Sequence, residues 1–420
     1  MHDFHEVGNE LHCERVPVAR IAKAVGTPFY LYSHHTLTSH FQAVDAAFAP
    51  IPHITAFAVK ANPNLAILRL FTKLGGGADI VSGGELYRAL KAGVPRGKIV
   101  FAGVGKTREE IAEALRAKIL LFNVESDQEL RVIDEVARRL KTRARISLRV
   151  NPHIDPKTHP YISTGLKQSK FGIDIDTALD HYKLASGLRG VEVVGVHHHI
   201  GSQLTEVQPF VEALARVLEL VDRLGAHGIA IRYLDMGGGL GIPYQDETPP
   251  SPRDMADAVL PLLRGRDLTL IIEPGRVLVG NAGILVTKVL YTKEGEAKNF
   301  VVVDAGMSDL IRPSLYEAYH EIRPVRRTSR ASKVVDVVGP ICESGDFLAQ
   351  DRELPACEPG ELLAVMSAGA YGFAMASRYN SRPFIPEVLV KGNRHVVIRA
   401  RETYRDLVRG ETVPPFLASR

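Results

Sequence analysis

Cysteine is scarce: the 420 residues hold three, Cys13, Cys342 and Cys357. So small and odd a number, with no CxxC pair, excludes a disulfide framework and suits a reducing, cytoplasmic setting. An excess of one charge sign is also missing. Fifty-two basic side chains against 48 acidic ones leave a net charge of +4, too balanced to imply a nucleic-acid or membrane partner. No apolar run approaches the roughly 18–20 residues that span a bilayer. The opening Met1-His-Asp-Phe-His-Glu-Val7 is polar and carries acids, unlike a signal peptide. Repeats and low-complexity segments are absent. What is present, 45% hydrophobic and 24% charged residues, fits a globular chain of two or so domains with a large core.

Short, β-rich apolar runs recur at 55–60, 78–82, 98–103, 119–124, 145–151, 193–199, 231–236 and 268–273. Helix-patterned segments at 85–91, 107–115, 126–136 and 208–218 separate several of them, and Thr107 followed by Glu109 and Glu110 reads as a cap-and-acid start. Strands alternating with helices over this length predict an α/β fold, a (β/α)₈ TIM-like barrel over 31–285. The Pro-containing stretch 152–168 is expected to be its active-site loop. Beyond about residue 285 the texture changes. Runs at 288–292, 300–304, 333–339, 362–366 and 395–399 have few helices between them, which predicts a mostly antiparallel β domain over 286–420. Residues 1–30 are assigned to that domain.

In such a barrel the chemistry sits at the C-terminal ends of the strands, with phosphate sites often built after strands seven and eight. Lys60 ends the run Ile54-Thr-Ala-Phe-Ala-Val-Lys60 ahead of the turn signal Ala61-Asn-Pro-Asn64. In a dry mouth its amine becomes nucleophilic; in solvent it merely caps a strand. Strand seven ends in Asp235-Met-Gly237-Gly238-Gly239-Leu-Gly241 and strand eight in Glu273-Pro274-Gly275-Arg276. Consecutive glycines let backbone N–H groups approach an anion, although a plain turn reads the same way. Arg276 adds a fork for phosphate or carboxylate. Gly103-Val-Gly105-Lys106-Thr107 looks like the end of a phosphate loop, but the pattern needs glycine at 100 and Val100 stands there. His197 and His199 share a strand face without a third spaced ligand, so a metal is not expected and ring stacking or hydrogen bonding is. Cys342 reads on its own as a buried thiol. Taken together, an amine (Lys60), an imidazole (His199), an anion nest (Gly237 to Gly239) and a carboxylate with a guanidinium (Glu273, Arg276) are the set that a phosphorylated aldehyde cofactor requires.

With these residues in view, the chain resembles the barrel-type (fold type III, alanine racemase-like) pyridoxal-phosphate decarboxylases, and within them the diaminopimelate decarboxylases. The motifs that carry the resemblance run nearly end to end: FAVKAN around Lys60, GADIVSGGE at 77–85, HPYISTGLKQSKFGI at 159–173, HHIGSQ at 198–203, LDMGGGLGI at 234–242, EPGR at 273–276, RPSLYEAYH at 312–320, CESGD at 342–346 and GAYGFAMASRYNSRP at 369–383. One departure is His198, where relatives often carry cysteine.

The resemblance implies that Lys60 bonds pyridoxal 5'-phosphate and that His199 stacks on its ring. Ser202, Gly237, Gly238, Gly239 and Tyr371 bind phosphate, and Glu273, in the EPGR motif with Pro274 and Gly275, pairs with the ring nitrogen. Arg276, Arg312 and Tyr316 bind the distal carboxylate of the substrate, and Tyr371 also lies on the substrate side. It further implies a homodimer with shared sites, in which Cys342 donates a proton and Glu343 binds the distal ammonium from the partner subunit. A carboxylate at the ring nitrogen favours its protonation, which suits decarboxylation, whereas the arginine of related racemases does not. Two arginines at the distal end suit diaminopimelate, which ends in a complete amino-acid head, over ornithine, which ends in an ammonium alone. The expected reaction is therefore meso-diaminopimelate to L-lysine and carbon dioxide, the last step of lysine biosynthesis. A decarboxylase for carboxynorspermidine or a basic amino acid, and a non-catalytic cofactor carrier, are the alternatives.

Overall fold

A computed structural model describes residues 2–155 and 170–417. The loop expected at 152–168 therefore lies outside the described residues from 156 onward. The chain divides into two units, residues 36–281 and residues 1–35 with 282–420.

Residues 36–281 form the barrel. Its strands are β1 (His53–Ala58), β2 (Gly77–Ile80), β3 (Ile99–Phe101), β4 (Leu121–Val124), β5 (Ala144–Asn151), β6 (Val191–His197), β7 (Tyr233–Asp235) and β8 (Thr269–Ile272). All pair in parallel in chain order, β8 pairs with β1, and β4 pairs with β5, so the ring closes. Each coincides with one of the eight apolar runs. Strands covered on both faces need near-continuous apolar sequence, and β3, Ile-Val-Phe, is buried at every position. The helices between them carry their own start and stop signals. Ser82 caps the helix Gly83–Ala92 by accepting from Glu85 N–H, and Gly93 ends it in the left-handed region. Thr107 and Glu110 form the capping box of Arg108–Ala117.

Register explains why polar side chains gather at one end. His197 lies opposite Asp235 across β6 and β7 and opposite Arg149 across β5 and β6. Asn123 lies opposite Ser147 and Ala58 opposite Asp79. Parallel strands bring their C-terminal ends to the same rim, so these residues and Glu273, one step beyond β8, share a level.

The second unit centres on a mixed, mostly antiparallel sheet. Its strands in spatial order are Phe347–Pro355, Ser332–Val338, Asn299–Val303, Gly283–Glu294, Phe29–Ser33, Glu387–Lys391 and Arg394–Arg399. Phe29–Ser33, buried throughout, lies mid-sheet between Gly283–Glu294 and Glu387–Lys391. A core of Phe29, Leu31, Ile284, Val286, Val388 and Val390 packs with Phe4, Leu11 and Ile21 from the N-terminal segment.

Candidate active site

The floor of the barrel mouth is a buried polar cluster. Asp235 and Glu273 are 0% and 5% exposed, and Asn123 Nδ2 donates to Asp235 Oδ2 at 3.0 Å and to Glu273 Oε1 at 3.4 Å. Ser147 Oγ donates to Asn123 Oδ1, which fixes the amide with its nitrogen toward the two carboxyls. Gly237 N–H donates to Asp235 Oδ1 at 2.9 Å. His197 Nε2 lies 3.7 Å from Glu273 Oε2. Burial, reinforced by Arg149, pushes the His197 pKa down to about 3, so its ring is neutral. Burial and then the charge of Glu273 raise the Asp235 carboxyl well above the ordinary carboxylate range. One atom each of His197, Asp235 and Glu273 lie within 4.8 Å of one another, a donor set with the composition of a cation site. The Asn123 amide points its N–H groups into both carboxyls, where a cation would meet a repelling dipole, so the set fits hydrogen bonding better than ligation.

β1 ends at Ala58, and Lys60 sits in the single 3₁₀ turn Val59–Ala61 that follows, not at the strand's own end. Its Nζ donates to Asp79 Oδ2 at 2.8 Å, with 40% of the lysine side chain exposed and none of the aspartate's. The expected dry mouth is therefore an ion pair with solvent on one side. Burial, then Glu273, raise the Asp79 pKa against the pull of Lys60, and Asp79 Oδ1 is buried without a hydrogen-bond partner among the described residues. Glu85 accepts from Val81 N–H at 2.7 Å, and burial lifts its pKa to about 7.

The glycine run packs tightly for reasons of its own. A Cβ on Gly238 would lie 2.2 Å from the Glu273 carbonyl oxygen, and one on Gly239 2.5 Å from that of Gly201. Gly237 and Gly239 have φ +65° and +127°, where side chains are disfavoured. Gly237 N–H is committed to Asp235, so it is not available to the anion nest expected at Gly237 to Gly239. Gly238 N–H reaches His199 Nδ1 at a long 3.3 Å. Burial first, then Arg149 and Lys60, hold the His199 pKa well below its ordinary value, so the ring expected to stack is neutral. Arg276 donates to Tyr244 Oη at 2.6 Å and to Ser202 Oγ at 3.1 Å, and its guanidinium lies 5.7 Å from the Tyr244 ring centre. Pro274 and Gly275 lead from β8 into the short helix Arg276–Val279.

Behind this rim lies Lys106, the lysine of the phosphate-loop-like sequence. Its side chain is fully buried. Nζ donates to Glu129 Oε1 at 2.7 Å and to the carbonyl oxygens of Gly103 and Asn123 at 2.7 and 2.8 Å. Glu129 accepts in turn from Glu125 N–H, and the Glu125 carboxylate holds Arg149 at 2.8 Å and Gly172 N–H at 2.8 Å.

The remaining expected residues, Arg312, Tyr316, Cys342, Glu343 and Tyr371, belong to the other unit. Buried Arg312 opens the short helix Arg312–Tyr316, and its Nε lies 3.3 Å from His320 Nε2. Ser314 Oγ of that helix donates to Gly345 O. Cys342 is exposed, against the buried thiol that its sequence alone suggests. The loop that carries Cys342 and Glu343 is anchored by Asp346, whose carboxylate accepts from Met307 and Ile341 N–H at 2.6 Å each, and by Asn380 Oδ1, which accepts from Cys342 N–H at 2.7 Å. Tyr371 holds φ +56°.

Asp79, Ser147, Arg149, Asn123, Asp235, Glu85 and Tyr244 were not singled out from sequence. A polar residue inside an otherwise apolar barrel strand was the available signal for Asp79 and Asn123. The barrel set fits a pyridoxal phosphate: a lysine amine, orphaned buried oxygen and nitrogen atoms at Asp79 and His197, and a glycine cradle with no room for a Cβ.

Comparison with known proteins agrees. The family described as the pyridoxal binding domain of pyridoxal-dependent decarboxylases matches residues 34–280. The diaminopimelate decarboxylase of Pseudomonas aeruginosa is 53% identical over 97% of this chain and 98% of its own length. The crystal structure of diaminopimelate decarboxylase from Helicobacter pylori complexed with L-lysine matches with a TM-score of 0.90 at 46% identity, over 93% of this chain and 98% of that one. The enzyme from M. jannaschii, in co-complex with L-lysine, matches with a TM-score of 0.95 at 43% identity over 100% of each chain.

Proposed function

The chain belongs to the diaminopimelate decarboxylase family of pyridoxal-dependent decarboxylases, and on that premise we propose that it converts meso-diaminopimelate to L-lysine and carbon dioxide. The observation that carries the reading is the Lys60 amine paired with Asp79 on the barrel rim that also carries Glu273 and the glycine cradle. Bound there, pyridoxal phosphate supplies an electron sink conjugated to the substrate Cα.

The chain's own residues do the rest. Lys60 would hold the cofactor through its side-chain amine. Glu273 holds a proton at the ring nitrogen, which keeps that sink strong. His199, neutral by burial, offers a flat face for the ring. Ser202, the N–H groups of Gly238 and Gly239, and Tyr371 hold the phosphate, with Gly237 turning the chain beneath them. Arg276, Arg312 and Tyr316 take the distal carboxylate. In a homodimer with shared sites, the partner subunit supplies an exposed Cys342 to protonate Cα and Glu343 to take the distal ammonium. Exposure of both residues supports this reading, since a group that serves a neighbouring subunit must be reachable. No described helix is long and apolar enough to cross a membrane; we place the enzyme in the cytoplasm.

The test is a coupled assay for lysine with purified protein and pyridoxal phosphate. Lysine forms from meso-diaminopimelate. Turnover of ornithine or arginine with none of meso-diaminopimelate overturns the substrate assignment, and sedimentation as a monomer at full activity overturns the shared site.

A further inference from the structure

Asp235, buried beside Glu273, is a residue that the proposed chemistry leaves unused. Two carboxyls on neighbouring strands, each almost wholly buried, have oxygens within 4.8 Å of one another. Two negative charges at that separation in a dry site repel strongly. The surroundings offer little relief. From β4 comes the Asn123 amide, shared between both carboxyls. From β7's own turn comes Gly237 N–H. β6 gives His197, whose ring is neutral. β2 gives another acid, Asp79. The nearby cations are each engaged elsewhere, Lys60 with Asp79 and Arg149 with Glu125.

We propose that Asp235 is held as a neutral carboxylic acid that donates its proton in a hydrogen bond to Glu273, making Asp235 a positioning residue for the carboxylate that serves the ring nitrogen. The inference rests on the reading of Glu273 as that nitrogen's partner. A carboxylate that accepts a strong hydrogen bond is a weaker base. Such a hydrogen bond favours leaving the proton on the ring nitrogen over passing it to Glu273. Complete burial of Asp235, with the charge of Glu273 beside it, raises the Asp235 carboxyl in the direction this requires, despite the two N–H donors. Asn123, oriented by Ser147, clamps both carboxyls so that the shared proton has one path.

Infrared difference spectroscopy of the full-length holoenzyme, repeated after cofactor removal, tests the idea without reference to turnover. Wild type minus Asp235→Asn shows the loss of one protonated-carboxyl C=O band, sensitive to D2O, at neutral pH. Absence of that loss means Asp235 is ionised and overturns the proposal. Cofactor affinity gives the second arm. Asp235→Asn, which still donates an N–H to Glu273, binds within a few-fold of wild type. Asp235→Leu, which fills the space but donates nothing, binds about 10-fold or more weakly. Equal affinity in the two variants shows a space-filling role and also overturns it. If Asp235→Leu does not fold, the isosteric Asp235→Asn still decides the infrared arm. Glu273→Gln separates the underlying reading: unchanged cofactor absorbance and turnover there removes the nitrogen partner and leaves the infrared result on Asp235 standing.

Discussion

His198→Cys isolates the cost of burying a histidine between His197 and His199. His198 is 2% exposed, and its Nδ1 has no hydrogen-bond partner among the described residues. Burial, then His197 and Arg149, lower its pKa from 6.5 to about 3. The sign follows from proton counting. Above the unfolded pKa of 6.5 both states are neutral and the residue contributes nothing to pH dependence. As pH falls from 6.5 toward 3 the unfolded chain binds a proton that the native state refuses, and stability is lost at up to about 1.4 kcal/mol per pH unit. At pH 5 the accumulated loss is roughly 2 kcal/mol. A buried cysteine is neutral throughout this window and removes that loss. Any cavity left by the smaller side chain shifts stability equally at each pH, so the difference between the two curves is the readout. Urea unfolding of both proteins at pH 7 and pH 5 measures it. The variant gains on wild type by roughly 2 kcal/mol between the two pH values. Parallel curves refute the assignment of His198 as a neutral buried ring.

Three further outcomes are expected. Lys60→Ala loses the yellow absorbance of bound cofactor, whereas Cys342→Ala keeps it and loses roughly 100-fold or more in turnover, as removal of a general acid does; absorbance and lysine formation measure the two, and full activity in Cys342→Ala removes the proton-donor role. Lys106→Met strands the buried Glu129 and costs about 3–5 kcal/mol in urea unfolding, while Lys106→Met with Glu129→Leu recovers most of that loss; no recovery in the double variant means that the pair is not the source. Gly238→Ala places a Cβ 2.2 Å from the Glu273 carbonyl oxygen, where neither backbone can yield, and costs about 1–3 kcal/mol together with a loss of cofactor affinity; equilibrium dialysis with the cofactor and unfolding curves check both.

The eight barrel strands were legible because strands covered on both faces are mostly apolar, which writes short apolar runs that polar helices interrupt. The sheet of the other unit was read less completely. Phe347–Pro355 carries Gln350, Asp351, Arg352 and Glu353, and its half-exposed faces dilute any apolar signal. Phe29–Ser33 looks like a barrel strand in composition, and nothing local reveals that its partners lie at 283–294 and 387–391. In the site, Lys60, the glycine run and Glu273 stood out because they break a pattern at a strand end. Asp79, Asn123 and Asp235 lie within strands, and their meaning depends on which strand lies alongside, which only the closed ring fixes. The anion nest expected from three glycines loses the N–H of the first, which turns inward to Asp235, a partner visible only in three dimensions.

The place of Phe29–Ser33 in the middle of its sheet has a consequence for how the protein is made. One neighbour, Gly283–Glu294, leaves the ribosome some 250 residues later, and the other, Glu387–Lys391, about 350 residues later. At 5–20 residues per second, the second delay is roughly 20–70 s. For about the first 250 residues of that interval the Phe-Tyr-Leu-Tyr segment waits without either strand it will pair with, and it then has one of the two, by which point residues 36–281 have every strand their ring requires. The nascent chain thus passes through a stage in which one unit can close and the other has only its first central strand, and that stage is where a chaperone has most to protect.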